Sequence, residues 1–369
     1  MDFRLTAEQE LLVQTAREFF QEHCPPLVVQ ELADDARGFP EMLWRRIAAL
    51  GWPGLLIPPA FGGSGGSILD VILLVEEMGH ACFPSPYIHS CVVVPWLLRH
   101  AGSAAQQAQW LPAIASGERL CTLAVVEEEA SFAMATLAMH GEVGGGLNGR
   151  KLFVKDAHIA DGLLVVVRGS GGCNLLLLDS TRAGISYHPL DAMTGERLFE
   201  VRFVDVPVRE ADLLGPPGKG EEALRPAWQL GALARSAEML GCAQRILEFC
   251  VEYAKVREQF GRPIGSFQAI QHACADLLRN VEGTRALVYQ AAWKMQEGQA
   301  CQTEVAMAKA YAEEQCLWVA RKGHQILGAI GYCEEHPLHL FHKRIQAAAL
   351  DFGDAAWHSE VVAAALGLV

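Results

Sequence analysis

The hydrophobic repeat of this chain changes twice along its 369 residues, and that double change limits the fold more than any other feature. From Thr6 to about Leu120 the repeat is helical. Thr6 and Gln9 form a capping-box pattern, and Leu11, Leu12, Thr15, Phe19 and Phe20 recur at helical spacing. Leu43, Ile47 and Leu50 continue the repeat up to Gly51, and a Pro/Gly-punctuated loop leads to a helix predicted over Ile68–Gly79. From about Cys121 to Leu214 the repeat is that of strands. Runs at Leu120–Val126, Leu147–Val154, Gly162–Val167, Cys173–Leu178, Ile185–His188 and Leu198–Val204 are separated by glycine or aspartate clusters, which predicts a small barrel or sandwich. After the linker Gly215–Gly220 the helical repeat returns, with Ile270, Cys274, Leu277, Val281, Val288, Ala292 and Met295 in one long segment. The expected architecture is an N-terminal all-α domain (1–119), a middle β-barrel or sandwich domain (120–215) and a C-terminal four-helix bundle (216–369).

Composition removes several functions. A formal charge of −13 argues against nucleic acid, which needs a basic face. An anionic ligand remains compatible, because a few local arginines decide that. No uninterrupted apolar run reaches the roughly 18 residues of a membrane span. Eleven cysteines, scattered without a Cys-x-x-Cys pair, fit reduced thiols better than a disulfide framework or a zinc site. With no secretory pattern at Met1–Thr6, a cytoplasmic location is expected.

The stretch from Tyr253 to Leu278 is a helix end, a Gly/Pro turn and a new helix start. It carries Arg257-Glu258-Gln259-Phe260-Gly261 and Phe267-Gln268-Ala269-Ile270-Gln271. Further on come Gln325-Ile326-Leu327-Gly328 and Gly331-Tyr332. Earlier lie Leu43-Trp44, Leu50-Gly51-Trp52, Ile57-Pro58, Gly62-Gly63, Gly149-Arg150-Lys151-Leu152-Phe153-Val154 and Ala160-Asp161. Together these motifs resemble the acyl-CoA dehydrogenase family over nearly the whole chain. The resemblance implies FAD as cofactor, an acyl-CoA thioester as substrate, and an electron-transfer flavoprotein as acceptor. It also implies that Arg257, Gln259, Phe260, Ile264 and Phe267 lie along a flavin held mainly by the neighbouring subunit. A guanidinium suits the pyrophosphate, since it grips phosphate oxygens through two donors. Gln325, Gly328 and Gly331 fall where the family lets backbone approach the adenosine half, and Ala329 replaces one family glycine. Read without the resemblance, Arg257 is a surface ion-pairing cation and the glycines are helix caps.

The same alignment exposes losses. The family's catalytic base is a glutamate whose position here reads Phe352, and a smaller branch places the base where this chain has Gly231. Neither takes a proton, so no catalytic residue is assigned. Asp351 and Glu238 are the displaced candidates, although on a helix a neighbouring Asp points about 100° around the axis. Val126 precedes Glu127 where the family has a threonine, and Lys155 stands in place of a second threonine. A family glycine-rich stretch reads Glu128-Glu129-Ala130-Ser131. Losses thus fall on the chain's own flavin-ring site, while residues serving a neighbour's flavin persist.

This asymmetry resembles the base-lacking subunits of heterotetrameric bacterial acyl-CoA dehydrogenases acting on steroid side-chain CoA thioesters. It implies a catalytic partner subunit in an α2β2 tetramer. Two alternatives stay open: a self-sufficient homotetramer with its base at Asp351, Glu238 or the Glu127 cluster, and a module that binds acyl-CoA or protein without a redox role. His336, His339 and His342 lie three apart near a helix start, but no supporting acidic or cysteine pattern accompanies them, so no metal is expected.

Overall fold

The computed structural model describes residues 4–32, 35, 37–129 and 136–368. Helices come first: α1 (Ala7–His23), α2 (Pro26–Glu31), α3 (Glu41–Ala49), α4 (Ile68–His80), α5 (Val94–Ala101) and α6 (Ala104–Ala115). Seven strands follow: β1 (Cys121–Ala124), β2 (Gly146–Lys155), β3 (Gly162–Gly169), β4 (Gly172–Asp179), β5 (Ile185–Leu190), β6 (Leu198–Pro207) and β7 (Leu213–Leu214). Then come α7 (Gly220–Val256), a hairpin of β8 (Glu258–Gln259) and β9 (Arg262–Pro263), and helices α8 (Gln268–Gln296), α9 (Gln302–Leu327), α10 (Leu338–Ala349) and α11 (Ala355–Ala365). The helix, strand, helix order read from periodicity is the order observed. None of the described helices is long and apolar enough to cross a membrane.

The chain forms two compact units. One comprises Met1–Ala33, Ile68–Phe83 and Ala232–Val369, and is helical. Its α1 begins with the expected capping box, in which Thr6 and Gln9 exchange side-chain and backbone hydrogen bonds. Charge pairs then fasten α1 and α8 to α4: Arg17 grips Glu77, and Arg285 with the Tyr289 hydroxyl holds Glu76. In α8 the periodic residues Leu277, Val281, Val288 and Ala292 are buried, while Ile270 and Cys274 at its N-terminal end are half-buried. All eleven cysteines are free thiols.

The other unit comprises Asp34–Ser67 and Pro84–Gly231, and contains two facing sheets. One has the order β1-β3-β4-β7, with β1 parallel to β3; the other is the antiparallel β2-β6-β5. Leu163, Val165, Val167, Leu176 and Leu178 from the first meet Leu147, Val201, Phe203 and Val206 from the second in one core, so the expected β layer is a sandwich. β3 and β4 are buried on both faces, which explains their continuous Leu/Val runs. In β2 a register shift lies between Lys151 and Val154, with Phe153 at φ +55° and half exposed. That bulge re-aims the strand end carrying Lys155.

Candidate flavin-facing groove and the vacated base position

The Tyr253–Leu278 signature builds a protruding corner. α7 stops at Val256, and the Ile264 amide donates to the Arg257 carbonyl at 2.8 Å. Between them Glu258 pairs with Pro263 and Gln259 with Arg262. The two turn residues, Phe260 and Gly261, have φ of +53° and +76°, the left-handed pair a two-residue hairpin of this hand requires. Glycine takes that conformation freely, whereas phenylalanine does so with strain. The ring is also 93 % exposed, and it meets Phe267 edge-on with centroids 6.1 Å apart. A strained, exposed aromatic gains little for the isolated fold. Phe260→Gly should therefore raise the stability of the chain by about 1 kcal/mol while weakening flavin retention in the assembly. Paired denaturation and flavin-content measurements check both halves; a destabilised variant would contradict the strain.

This corner faces the turn that ends α9. Gly328 has φ +66° and ψ −138°, and nothing lies within 4 Å of where a Cβ would be. Between hairpin and turn runs an open groove of about 700 Å³. Six of the eight residues expected at the cofactor line it, namely Arg257, Gln259, Phe260, Ile264, Phe267 and Gly328. Ile270, Ile326 and Ile330 give it an apolar floor, and Ala329 also borders it. Arg257 is exposed and makes no ion pair or side-chain hydrogen bond among the described residues, so its guanidinium is free for an anion.

The remaining two sit elsewhere. Gln325 is exposed on α9, its amide oxygen accepting from Lys322 Nζ at 2.8 Å. Gly331 is buried and faces inward, where an added Cβ would meet Leu327 Cβ at 3.0 Å. Its smallness is thus explained by its own turn.

The position at which the resemblance places the base is a buried turn. Phe352 is not on a helix, contrary to the helical-offset argument from sequence. With φ of +58° at Phe352 and +98° at Gly353, the chain leaves α10 through a left-handed turn before Asp354 caps α11. The Phe352 side chain is 1 % exposed. His358 Nε2 holds its carbonyl at 3.1 Å, and Lys309 Nζ donates to the Ala349 and Gly353 carbonyls at 2.6 and 2.8 Å. Gly231, the alternative base position, is a buried residue of α7.

Both displaced candidates are already engaged. Arg235 on α7 donates from Nε to Asp351 Oδ2 at 2.8 Å and from Nη1 to Glu238 Oε2 at 2.6 Å. Arg344 approaches the other Glu238 oxygen at 3.6 Å. A carboxylate oxygen that already accepts from a guanidinium must give up that bond before it can take a carbon acid's proton. Asp351→Asn and Glu238→Gln should each leave turnover of the assembled enzyme within about twofold. Loss of a true general base costs on the order of 10²–10⁴-fold, so a steady-state rate separates the two outcomes.

Lys309 was missed from sequence, because a lysine on a helix reads as solvated. Its side chain has no exposed surface. Burial pushes its pKa down from 10.5 to about 8, against the attraction of Glu313 and Asp351. A lysine depressed in the fold is penalised while charged, so the fold gains stability as pH rises from about 8 toward 10.5. Lys309→Met should lose about 1–2 kcal/mol near neutral pH through the abandoned carbonyls. It should also lose that rise, which urea denaturation across this pH range would register; parallel pH profiles would exclude the role.

In the β-sandwich unit, Glu127 accepts from Lys151 Nζ at 2.6 Å and from the Ala138 and Met139 amides. Glu128 pairs with Arg150. Two of the three carboxylates of the Glu127–Glu129 cluster therefore have structural work and Glu129 is exposed; Ala130 and Ser131 lie outside the described residues. Val126 uses its carbonyl to accept from Leu152 at 2.8 Å and offers no hydroxyl. Lys155, in the second threonine position, forms an ion pair with Glu196 at 2.5 Å.

The histidine triplet is likewise dispersed. His342 meets His324, His339 meets Gln30, and His336 Nδ1 accepts from the Leu338 amide. Among the described residues no group of three or more His, Cys, Asp or Glu is arranged to hold a metal ion.

Residues 6–118 match the family model described as acyl-CoA dehydrogenase, N-terminal domain, and residues 218–367 match acyl-CoA dehydrogenase, C-terminal domain. This chain belongs to the acyl-CoA dehydrogenase family. It is 31 % identical to the short-chain specific acyl-CoA dehydrogenase of Megasphaera elsdenii, over 92 % of each chain. A solved structure of the ChsE4–ChsE5 complex from Mycobacterium tuberculosis superposes with a TM-score of 0.92 at 27 % identity, covering 100 % of both chains. The Tcur3481–Tcur3483 steroid ACAD G363A variant superposes with a TM-score of 0.89 at 28 % identity, covering 98 % of both. Acyl-CoA dehydrogenases are FAD-dependent oxidoreductases. The groove fits that cofactor on two counts, the unpaired Arg257 guanidinium and the open face above Gly328, where any side chain would intrude on a ligand.

Proposed function

We propose that this chain is the non-catalytic subunit of a cytoplasmic acyl-CoA dehydrogenase, completing the FAD site of a catalytic partner in an α2β2 tetramer. The observation that carries the reading is the division of labour among its side chains. The groove toward a neighbour's flavin keeps an unpaired arginine and an open glycine, whereas the base position holds buried Phe352 and its displaced substitutes are clasped by Arg235. The partner would supply the base for the proton next to the thioester, and FAD, when bound, would supply the hydride acceptor. This chain's residues bind and orient: Arg257 holds the pyrophosphate, Phe260 and Phe267 cover apolar flavin surface, and Gly328 lets backbone approach. An electron-transfer flavoprotein is the proposed acceptor. The neighbour described as a steroid ACAD supports a steroid side-chain CoA thioester as substrate.

The test is flavin per polypeptide together with native mass, for protein isolated with its natural partners. Half occupancy in a mixed tetramer is expected. Full occupancy in a homotetramer, with bleaching of its flavin on adding acyl-CoA, would establish a self-sufficient enzyme instead.

A further inference from the structure

We propose that His342 and His324 are positioning residues, which fix the flavin-facing turn through the Gly331 carbonyl and release it when the pair takes up a proton. The inference rests on the reading of the groove given above. The turn Gly328–Tyr332 is only five residues long, and one of its walls is open to the groove. Its inner side is held by a side chain, His324, whose Nδ1 lies 2.7 Å from the Gly331 carbonyl oxygen. Tyr332 stacks on the same ring at 4.8 Å.

The hydrogen-bond directions follow from one fact. A carbonyl oxygen only accepts, so His324 Nδ1 carries the proton and, in the neutral ring, Nε2 bears the lone pair. His342 Nδ1 lies 3.0 Å from that Nε2 and must donate to it. The proton of His342 is thereby assigned to Nδ1, which leaves its Nε2 as a lone pair. That atom is buried and has no hydrogen-bond partner among the described residues. The chain of donors thus runs one way, from His342 through His324 to Gly331. Reversing the tautomers would set the His324 Nδ1 lone pair against the Gly331 oxygen and break the tether.

An added proton has one destination. Taken up by His342, it sits on Nε2. Taken up by His324, it occupies the nitrogen facing His342, whose own proton then shifts to Nε2. Both routes create a buried N–H without an acceptor, which is costly. The titratable neighbours oppose the charge as well: Arg321 on α9 acts on His342, and His339 on α10 acts on His324. Close by, His339 on α10 and Arg245 on α7 also act on His336. Burial is the largest cause and holds both rings below their ordinary range; at His342 the charge of His324 adds to it, whereas at His324 the hydrogen bond to Gly331 works the other way. Protonation leaves the His324 Nδ1–H on the Gly331 carbonyl, but the proton is less costly once the turn opens and the rings reach water. The closed turn is therefore fully favoured above the unfolded value of about 6.5 and weakens as pH falls through the depressed folded value.

The experiment measures flavin retained by the complex after gel filtration between pH 8 and pH 5. It uses wild type, His324→Leu, His342→Leu, and the isosteric amides His324→Asn and His342→Asn. An asparagine amide nitrogen occupies the place of Nδ1, donates as the ring does, and does not titrate. Wild type should hold flavin at pH 8 and lose it progressively as pH falls from about 6.5 through the depressed folded value. His324→Leu should bind about tenfold more weakly at every pH. His324→Asn should retain flavin with a flattened pH profile. Wild-type affinity and profile in both leucine variants would overturn the proposal, as would an unchanged acid loss in His324→Asn. Arg257→Ala run alongside separates the failures. If it strips flavin while the histidine variants do not, this inference alone is wrong; if it retains flavin, the groove reading falls and takes this inference with it.

Discussion

Arg257→Ala should lower flavin retention by the assembled complex about 10- to 100-fold, the range for losing a charge-assisted, two-point phosphate contact. The stability of the chain should change by no more than about 0.5 kcal/mol, because an exposed side chain without a partner leaves nothing unsatisfied behind. That separation distinguishes a ligand contact from a surface ion pair. Arg257→Lys should recover only part of the affinity, since an ammonium offers a point charge where the guanidinium offers a fork. Raised salt should weaken wild type more than Arg257→Ala, because the site is open to solvent. The check is the flavin-to-protein absorbance ratio after gel filtration, with melting curves alongside. Unchanged occupancy in Arg257→Ala would remove the pyrophosphate assignment and with it the strongest link to a partner's flavin.

Arg257 was legible in the sequence because everything that places it is local. A helix stop, Phe260-Gly261 at the hairpin tip, and Pro263 with Gly265 lie within a few residues of one another, and each restricts the backbone by itself. The strands of the sandwich were legible for a related reason, since Leu163–Val167 and Leu175–Leu178 are too apolar and too short for anything but buried strands. The rearrangement around Phe352 was legible only as a loss. What surrounds Phe352 depends on pairs such as Arg235 with Asp351, 116 residues apart, and Lys309 with Gly353, 44 apart. No local pattern announces such a pair. The one available signal was Arg235 followed by Glu238, a helical i,i+3 ion pair on a stretch of α7 otherwise buried. The histidines misled in the opposite direction. His336, His339 and His342 look like one group by spacing, yet the partner that matters to His342 is His324 on another helix.

The second large effect is expected at Arg235. Its side chain is nearly buried, with Glu238 similarly covered and Asp351 a little more open. Arg235→Met keeps most of the volume but removes the guanidinium that both carboxylates share in a poorly solvated place, where Arg344 stays 3.6 Å from Glu238 and the charge of Lys309 still acts on Asp351. Removing a single partner from a buried ion pair costs about 3–5 kcal/mol, mostly from the charge left behind. A large drop in the urea midpoint is therefore expected for Arg235→Met. The triple variant Arg235→Met, Glu238→Gln, Asp351→Asn should regain much of it, because the stranded charges are gone. Recovery would show that the carboxylates are present to balance the arginine and are not held in reserve for catalysis. If the single variant kept wild-type stability, the carboxylates would be tolerated without their guanidinium. The case against Asp351 and Glu238 as bases would then rest on turnover alone.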